Sequence, residues 1–418
     1  MIDEQYREYK KSVYKAAKDP FIRTALRRAV KSFRISRDDA VKAFPDVEKK
    51  RKLLQEKKEY SLLNINELIE RTKKSIERQH GKFYFAKTDT DAKNIIYDII
   101  GSGKTIVKAK SMTTEEIELN KFLEEKGNSV FETDLGEFIV QLLKTRPMHI
   151  LAPAVNIPRE KVAEAFSKLG GKELEPDIPK LTLFAREFLR DKYFSADVGI
   201  SGANAIVAET GSVFLIENEG NVRFITNAPP VHIVIAGIEK ILPTMEDGFL
   251  FLDVVQRYAG YFATSYISII SGPSKTGDIE KTVVYGAHGP KEWHVILLDN
   301  GRSEMIKDPV FRKALYCVRC GACMYECPVY PITTGYWGHR YMGGIGIPWT
   351  AFVAGGFEIA SPMAFTCTLC GRCVKYCPME IDTPKIVERL REIIKEKGFL
   401  PRYVEELANN VITKGKPY

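Results

Sequence analysis

The sequence lacks the features of a membrane or exported protein. No apolar run among its 418 residues approaches the roughly 20 residues that a helix needs to span a bilayer. The first residues, MIDEQYREYKKSV, are charged and contain no apolar signal-peptide core. Hydrophobic residues make up 44% of the chain and charged residues 28%, as in globular proteins, and the length is typical of two or three domains. We therefore expect a cytoplasmic protein of several domains.

Two nucleotide-binding signatures are also missing. Residues 101–105, GSGKT, resemble the end of a phosphate-binding loop, but Asp98 stands where that pattern requires its first glycine. The segment that follows, TIVKAK, has the composition of a strand, whereas a phosphate loop leads into a helix. We interpret GSGKT as a turn between a helix and a strand. The chain contains no complete GxGxxG fingerprint either, so no flavin or NAD site is predicted.

Basic residues outnumber acidic residues near the N-terminus. Residues 1–80 contain 22 Lys and Arg against 13 Asp and Glu, so this segment carries the whole excess of the formal net charge of +8. A basic segment can be a solvated surface, a docking surface for a protein partner or a nucleic-acid site. Because no nucleic-acid motif accompanies the charge, we predict no nucleic-acid partner.

Cysteine is absent from most of the chain. All eight cysteines lie between residues 317 and 377, in two runs with the spacing C-x2-C-x2-C-x3-C-P. The runs read CVRCGACMYECP at 317–328 and CTLCGRCVKYCP at 367–378. A disulfide framework would spread cysteines through a secreted chain, so two tight groups indicate metal binding instead.

The spacing within each run is typical of [4Fe–4S] clusters. Three cysteines separated by two residues can wrap a loop around one cluster, and the fourth ligates the other cluster in two-cluster ferredoxins. Zinc is the competing interpretation, but it prefers closed sets of four ligands, often two CxxC pairs. We therefore predict two [4Fe–4S] clusters with crossed ligation. The predicted ligands are Cys317, Cys320, Cys323 and Cys377 for cluster 1, and Cys367, Cys370, Cys373 and Cys327 for cluster 2.

The chain divides into three regions that differ in composition and in hydrophobic pattern. Residues 1–78 form charged helical runs, with Pro45 after the first helices. In residues 79–300, candidate strands (FYFAK, TIVKAK, SVFET, HILAPAV) alternate with candidate helices (TEEIELNKFLEEKG, FIVQLLKT), which predicts an α/β domain with a largely parallel sheet. Residues 301–418 hold the cysteine runs and an amphipathic helix at 383–397.

Between residues 205 and 242, candidate strands follow one another without candidate helices between them. The segments NAIVAET, SVFLIEN, VRFIT and HIVIAGI predict an antiparallel or mixed region, with tight turns at Gly211 and at residues 218–221. A further strand pair is predicted at 264–271 and 293–299.

Polar residues interrupt the apolar segments of this region. Charged side chains are rarely buried without partners, and α/β folds bind ligands at the ends of their strands, so a substrate site at a sheet edge is predicted here. Its candidate residues are Glu209, Thr210, Asn218, Asn221, His232 and Lys240. The alternatives are that Glu209 and Thr210 only shape a turn, that His232 is a core histidine, and that Lys240 pairs with Glu239 or a helix end.

The combined motifs resemble a known family. The runs KSMTTEEIELNKFLEEKG, ADVGISGANAIVAETGS, ENEGN and VHIVIAGIEKILP, followed by the two cysteine runs, resemble the iron–sulfur subunit of the lactate-utilisation system. The resemblance implies a LUD domain, similar in fold to ribose-phosphate isomerases and CoA-transferases, joined to a two-cluster ferredoxin domain. The 38 residues between Pro328 and Cys367 resemble those of α-helical ferredoxin domains in heterodisulfide and fumarate reductases.

The resemblance also implies a function. Family members work with a cysteine-rich-repeat iron–sulfur protein and a smaller LUD protein, and together they oxidise L-lactate to pyruvate. We expect this chain to be an electron-transfer subunit that passes electrons to an unidentified acceptor, rather than a self-sufficient enzyme. In a second hypothesis the LUD domain itself binds or oxidises a hydroxy acid, with Glu209 as base and His232 or Lys240 holding the carboxylate. A third hypothesis makes the LUD domain a ligand-sensing module.

Overall fold

Four helices form the N-terminal region. A computed structural model describes residues 2–418, with side chains from Glu4 onward. The helices are α1 (Ile2–Lys18), α2 (Pro20–Ala43), α3 (Val47–Leu63) and α4 (Ile65–Arg78). The Asp19 carboxylate caps α2 by accepting the N–H groups of Phe21 and Ile22 at 2.9 and 3.1 Å. The predicted helices are thus confirmed for the described residues, outside which Met1 lies.

The central region alternates strands and helices. Its elements are β1 (Lys82–Ala86), α5 (Asp89–Ile100), β2 (Thr105–Lys108), α6 (Met112–Glu116), α7 (Leu119–Glu125), β3 (Ser129–Glu132), α8 (Leu135–Leu142), α9 (Arg159–Gly170), α10 (Ile178–Ser195), β4 (Val198–Ser201), β5 (Ala205–Val207), β6 (Val213–Glu217), α11 (Asn221–Asn227), β7 (Val231–Gly237), β8 (Ile241–Leu242), α12 (Met245–Tyr258), β9 (Tyr266–Ile270), β10 (Lys275–Thr276), β11 (Val284–Tyr285) and β12 (Glu292–Leu298). GSGKT lies between α5 and β2, as predicted.

Six parallel strands form the main sheet, in the order β1-β12-β7-β4-β2-β3. The central strands β7 and β12 are apolar along most of their length because both faces of the sheet are covered. Helices α5 and α7 pack on one face, and α4, α8 and α10 pack on the other. The chain passes from β2 outward to β3, at one edge of the sheet. It then returns to β4, on the other side of β2, and continues from there toward the opposite edge through β7 and β12. The strand order therefore reverses between β2 and β4.

The smaller sheet has the order β8-β5-β6-β9 and is mixed. The prediction of a mixed region is confirmed for NAIVAET and SVFLIEN, which contain β5 and β6, but HIVIAGI belongs to β7 of the main parallel sheet. The predicted strand pair is wrong. Strand β9 pairs with β6, whereas β12 lies in the main sheet between β1 and β7. The error arose because two apolar strands that follow one another need not be neighbours when each completes a different sheet.

Two predicted strands are also wrong. Residues 149–155, HILAPAV, form turns because His149 Nδ1 accepts the N–H groups of Leu151 and Ala152 at 3.0 and 3.1 Å, which removes them from any strand ladder. Residues 222–226, VRFIT, belong to helix α11. The Glu217 carboxylate accepts the N–H groups of Val222 and Arg223 at 2.8 and 3.0 Å and so caps the first turn of that helix.

The C-terminal region is helical, as predicted. Its helices are α13 (Arg302–Lys307), α14 (Pro309–Arg312), α15 (Ala322–Glu326), α16 (Tyr330–Thr333), α17 (Gly343–Val353), α18 (Gly356–Thr366), α19 (Arg372–Lys375), α20 (Thr383–Glu396) and α21 (Arg402–Lys414). One continuous hydrophobic core connects this region with α2, α3 and α12, and includes Leu54, Phe251, Leu315 and Leu390. Within residues 2–418, no helix is both long and apolar enough to cross a membrane.

Candidate iron–sulfur and ligand-binding site

The two cysteine runs share one backbone conformation. Arg319 and Leu369, at corresponding positions, have φ values of 63° and 56°, and Gly321 and Gly371 have values of 79° and 73°. Each run then continues into a short helix, α15 or α19. Left-handed residues in such loops produce concave backbone surfaces whose N–H groups can face an anion. Both runs are therefore shaped to surround a group of negative charge.

Two adjoining cavities lie between the runs. Cys377 lines the first cavity together with the first three cysteines of the N-terminal run, and Cys327 lines the second together with the first three of the C-terminal run. Cys323 and Cys373 line both cavities, so the two spaces are neighbours. Among residues 2–418, no three His, Cys, Asp or Glu side chains are grouped closely enough for a single metal ion. Eight thiols spread around two cavities fit multinuclear clusters better than mononuclear zinc.

The protonation of the thiols supports the same fit. Burial, followed by the influence of nearby thiols, raises the pKa of Cys323 well above its ordinary value. Burial also raises the pKa of Cys327 and Cys377 to about 12. Several thiolates in one apolar space repel each other, and iron supplies the positive charge that allows them all to ionise. These residues are therefore suited to hold iron–sulfur clusters, which carry single electrons.

The two cysteine runs differ in the exposure of their second cysteine. Cys320 in the first run is buried, whereas Cys370 in the second run is exposed. The side chains of Arg372 and Lys375, on the helix that follows Cys370, are also exposed. Arg372 reaches the buried carboxylate of Glu326 at 3.4 Å, which Arg34 also contacts at 3.2 Å. The exposed Cys370 thus lies beside a basic surface formed by Arg372 and Lys375.

A buried ion network lies beside the first cavity. Arg302 donates to both oxygens of Glu116 at 2.9 and 2.7 Å, and to Glu239 at 2.6 Å. The Tyr341 hydroxyl donates to Glu116 at 2.5 Å. A Cβ at Gly237 would lie 2.0 Å from the Glu239 carboxylate, so only glycine allows this approach. Burial alone would raise the pKa of Glu239, but Arg302 and neighbouring cations outweigh it and lower that pKa to about 2.

Three further cations surround this network. The Lys58 ammonium donates to the Glu239 carbonyl oxygen. Burial lowers the pKa of Lys58 and of Lys240 to about 8, although Glu239 opposes the shift. The Arg319 guanidinium stacks on the Trp349 ring, 3.9 Å from its centroid. Cations therefore outnumber carboxylates here, and the negative charge of a cluster in the first cavity would offset the excess.

A separate cavity of about 330 Å³ lies at the carboxyl ends of β2 and β3. Lys110 and Asp134 line it directly after these strands, and Glu217 and Glu219 line it at the end of β6. Further parts of its wall come from the end of α12 and from Val318 and Arg319 of the first cysteine run. The cavity therefore lies between the α/β domain and the first cluster cavity.

The structure separates the six candidate residues predicted from the sequence. Asn218 and Asn221 line the 330 Å³ cavity. Glu209 accepts the Met245 N–H at the start of α12, and Thr210 bonds to Ser212. His232 is buried, its Nε2 lies 2.8 Å from Ser201 Oγ, and burial lowers its pKa to about 3. Lys240 lies in the ion network beside the first cysteine run.

Sequence analysis missed several residues of this cavity, including Lys110, Asp134 and Glu219. A signal for two of them was present, because Lys110 and Asp134 each come within two residues of the end of an apolar strand. Carboxyl ends of neighbouring parallel strands meet at one edge of the sheet. The pairing of β2 with β3, which brings the two residues together, could not be read from either segment alone.

Comparisons with known proteins agree with this architecture. The LUD domain family matches residues 69–298, and the 4Fe-4S dicluster domain family matches residues 313–381, which include both cysteine runs. Lactate utilization protein B of Shouchella clausii is 37% identical over 394 residues, which are 93% of this chain and 81% of that protein. The uncharacterized electron transport protein YkgF of Escherichia coli is 34% identical over 396 residues, 94% of this chain and 81% of that protein. The predicted iron–sulfur chemistry of the two runs is confirmed by the dicluster match.

Proposed function

The chain belongs to the lactate utilization protein B family, and on this premise we propose that it is the electron-transfer iron–sulfur subunit of a complex that oxidises L-lactate to pyruvate. Membership of this family confirms the resemblance predicted from the sequence. The observation that carries the proposal is the pair of adjoining cysteine-lined cavities, the first lined by the buried Cys320 and the second by the exposed Cys370. Adjacent clusters at these positions would provide a path for electrons through the chain.

We propose two [4Fe–4S] clusters with crossed ligation. The support is that Cys377 lines the cavity of the first run and Cys327 that of the second. Each cluster carries one electron at a time, so two clusters can pass on both electrons of a lactate oxidation in turn. The ligands proposed for cluster 1 are Cys317, Cys320, Cys323 and Cys377, and those for cluster 2 are Cys367, Cys370, Cys373 and Cys327.

The partners are proposed from the same family relationship. They are a cysteine-rich-repeat iron–sulfur protein, a smaller LUD protein and an acceptor whose identity stays open. We propose that electrons enter at cluster 1 and leave at cluster 2, since only the second cavity is bordered by an exposed cysteine among the eight. A reducing compartment keeps cluster thiolates free of disulfides, which fits the cytoplasmic location predicted from the sequence.

The test of the relay uses the chain purified without oxygen, with its iron and sulfide quantified. We expect no cluster reduction when L-lactate is added to the chain alone, and an EPR signal of reduced clusters once the two partner proteins are present. Reduction by lactate without partners would instead support the second hypothesis, in which this chain oxidises the acid itself.

That second hypothesis gains one observation from the structure. The 330 Å³ cavity has the size of a small-molecule site, and it reaches the first cysteine run. We propose ligand contact for Asn218 and Asn221, which line it. None of Glu209, Thr210, His232 and Lys240 lines this cavity, so a catalytic role for these four rests on the sequence pattern alone.

The exposed basic surface beside Cys370 is expected to dock an acidic partner. Replacing Arg372 and Lys375 by glutamate should slow electron exchange with the cysteine-rich partner by about tenfold at low salt, because steering between opposite charges speeds association. Stopped-flow absorbance of the clusters measures the rate. The matched control replaces Lys168 and Lys180, which are exposed lysines of the LUD domain, and should leave the rate unchanged. Equal rates in the two double variants would rule out docking at this surface.

A further inference from the structure

We propose that the 330 Å³ cavity is a binding site for a small 2-hydroxy or 2-oxo carboxylate, held by Lys110 beside the first cluster cavity. This inference rests on the proposed function for the identity of the acid. It assigns the site itself from four features of the structure: its place in the sheet, its charges, the orientation of its amide groups, and the wall that it shares with the cluster cavity.

The place in the sheet is the first feature. In parallel α/β sheets, ligands bind outside the carboxyl ends of the strands, at the point where the strand order reverses. Here that point lies between β2 and β4, and the cavity is lined by residues that follow each of them, Lys110 and Asn204. The backbone groups and side chains at these strand ends converge on the same crevice.

The charges of the lining limit the class of ligand. Lys110 is mostly buried, and its ammonium lies 3.9 Å from the Asp134 carboxylate, beyond hydrogen-bond distance. It can therefore bind one carboxylate. Glu217 and Glu219 are the other acidic groups of the wall, and Arg319 is its second cation. Three carboxylates against two cations would repel a phosphate dianion more strongly than a monoanion. The site thus suits a monoanion.

The Glu219 carboxyl group supplies an acceptor for a ligand hydroxyl. Its Oε2 atom accepts the Leu135 N–H at 3.1 Å, and the residue lines the cavity. Burial, and then the nearby Asp134 carboxylate, raise the pKa of Glu219. A hydroxyl group at the carbon next to the ligand carboxylate can donate to this acceptor, a contact that a simple fatty acid cannot make.

The amide groups add oriented donors. Asn204 Oδ1 accepts the Ile216 N–H at 2.9 Å, and Asn218 Oδ1 accepts the Ser265 N–H at 3.0 Å. Because each carbonyl oxygen is held by a backbone donor, the orientation of each amide is determined. The NH2 group of Asn204 can then donate to the oxygens of a hydroxy or oxo acid, whereas the Asn218 side chain also contacts the Tyr261 hydroxyl on the same wall.

The shared wall connects ligand and cluster. Met112, Ile150, Val318 and Arg319 line both this cavity and the first cluster cavity. Val318 and Arg319 lie between the ligands Cys317 and Cys320, so a molecule in the cavity touches the loop that holds cluster 1. Occupancy should therefore alter the spectrum of cluster 1 more than that of cluster 2.

The experiment uses the full chain, purified without oxygen and with its clusters intact, titrated with L-lactate and with pyruvate by calorimetry and EPR. We expect saturable binding of at least one acid and a change in the EPR signal of cluster 1. Lys110→Gln should weaken binding about tenfold or more, since a charge-assisted hydrogen bond is lost, with unchanged iron content. Lys110→Arg should retain most of the binding, and the control Lys121→Gln, at an exposed lysine of α7, should retain all of it.

Two comparisons complete the test. Propionate and inorganic phosphate should bind more weakly than lactate, because one lacks the hydroxyl and the other adds charge. Absence of saturable binding by both acids, or equal binding by the chain and its Lys110→Gln variant, would overturn the inference. Lactate-driven cluster reduction in the presence of the partner proteins reports on the relay separately, so it would persist if only the cavity assignment were wrong.

Discussion

Replacing Cys377 by alanine is expected to remove the cluster of the first cysteine run, although Cys377 belongs to the second cysteine run. Cys377 lines the first cavity with Cys317, Cys320 and Cys323, so its loss leaves that cluster with three ligands. Iron content should fall from about eight to about four atoms per chain, since each [4Fe–4S] cluster holds four irons. Iron and sulfide analysis of the anaerobically purified variant, together with circular dichroism to check folding, measures the effect.

Double variants test the crossing without assigning any spectrum. Cys317→Ala combined with Cys377→Ala should lose no more iron than either single change, because both remove the same cluster. Cys367→Ala combined with Cys377→Ala should lose nearly all iron, because the two residues serve different clusters. If each run ligated its own cluster, the results would be reversed. The variant lacking Cys317 and Cys377 would then lose both clusters, and the variant lacking Cys367 and Cys377 would lose only one.

Arg302→Met is expected to lower the free energy of unfolding by about 3–5 kcal/mol, because it leaves two buried carboxylates without their counter-charge. The Arg302, Glu116 and Glu239 side chains are 0%, 0% and 2% exposed. The network also joins the α/β domain to the C-terminal helical region, because the Tyr341 hydroxyl of the helical region donates to Glu116 of the α/β domain. Urea unfolding followed by circular dichroism, with iron content determined in parallel, measures the loss.

Two further variants separate the buried charge from the mere removal of a side chain. Lys307→Met breaks an exposed pair with Glu304 on the same helix and should change the free energy of unfolding by less than about 0.5 kcal/mol. Adding Glu116→Gln and Glu239→Gln to Arg302→Met should restore part of the stability, because no uncompensated carboxylate remains. If Arg302→Met were no more destabilising than Lys307→Met, the network would not hold the two regions together.

Much of the fold could be predicted from local sequence. Strands β1, β2 and β3 were predicted because each is a short apolar run bounded by polar or turn residues, and α20 because its apolar residues recur at helical spacing. Segment 222–226 has the same apolar character as these strands but folds as a helix. The difference comes from Glu217, whose carboxylate accepts the first N–H groups of that helix and so stabilises its start. Glu217 lies before the turn that precedes the helix, outside the segment itself.

The site was predictable to the extent that its chemistry is local. The cysteine runs were recognised because cluster ligands must lie a few residues apart for one loop to surround a cluster. The ligand cavity was recognised only at Asn218 and Asn221, since Lys110 and Asp134 lie about a hundred residues upstream and approach them through strand order. Hydrogen bonds likewise placed His232 and Glu209 in structural roles that their polarity did not reveal.

The sequence by itself determined the iron–sulfur chemistry, the parallel α/β domain and the helical character of both ends, because each depends on spacing or periodicity within a short segment. Only the tertiary structure decided that Cys377 faces the first cavity, that Arg302 joins Glu116 to Glu239, and that a polar cavity adjoins the first cysteine run. These features unite residues distant in sequence. Their proximity is set by the order of strands and the packing of cores, which are collective properties of the folded chain.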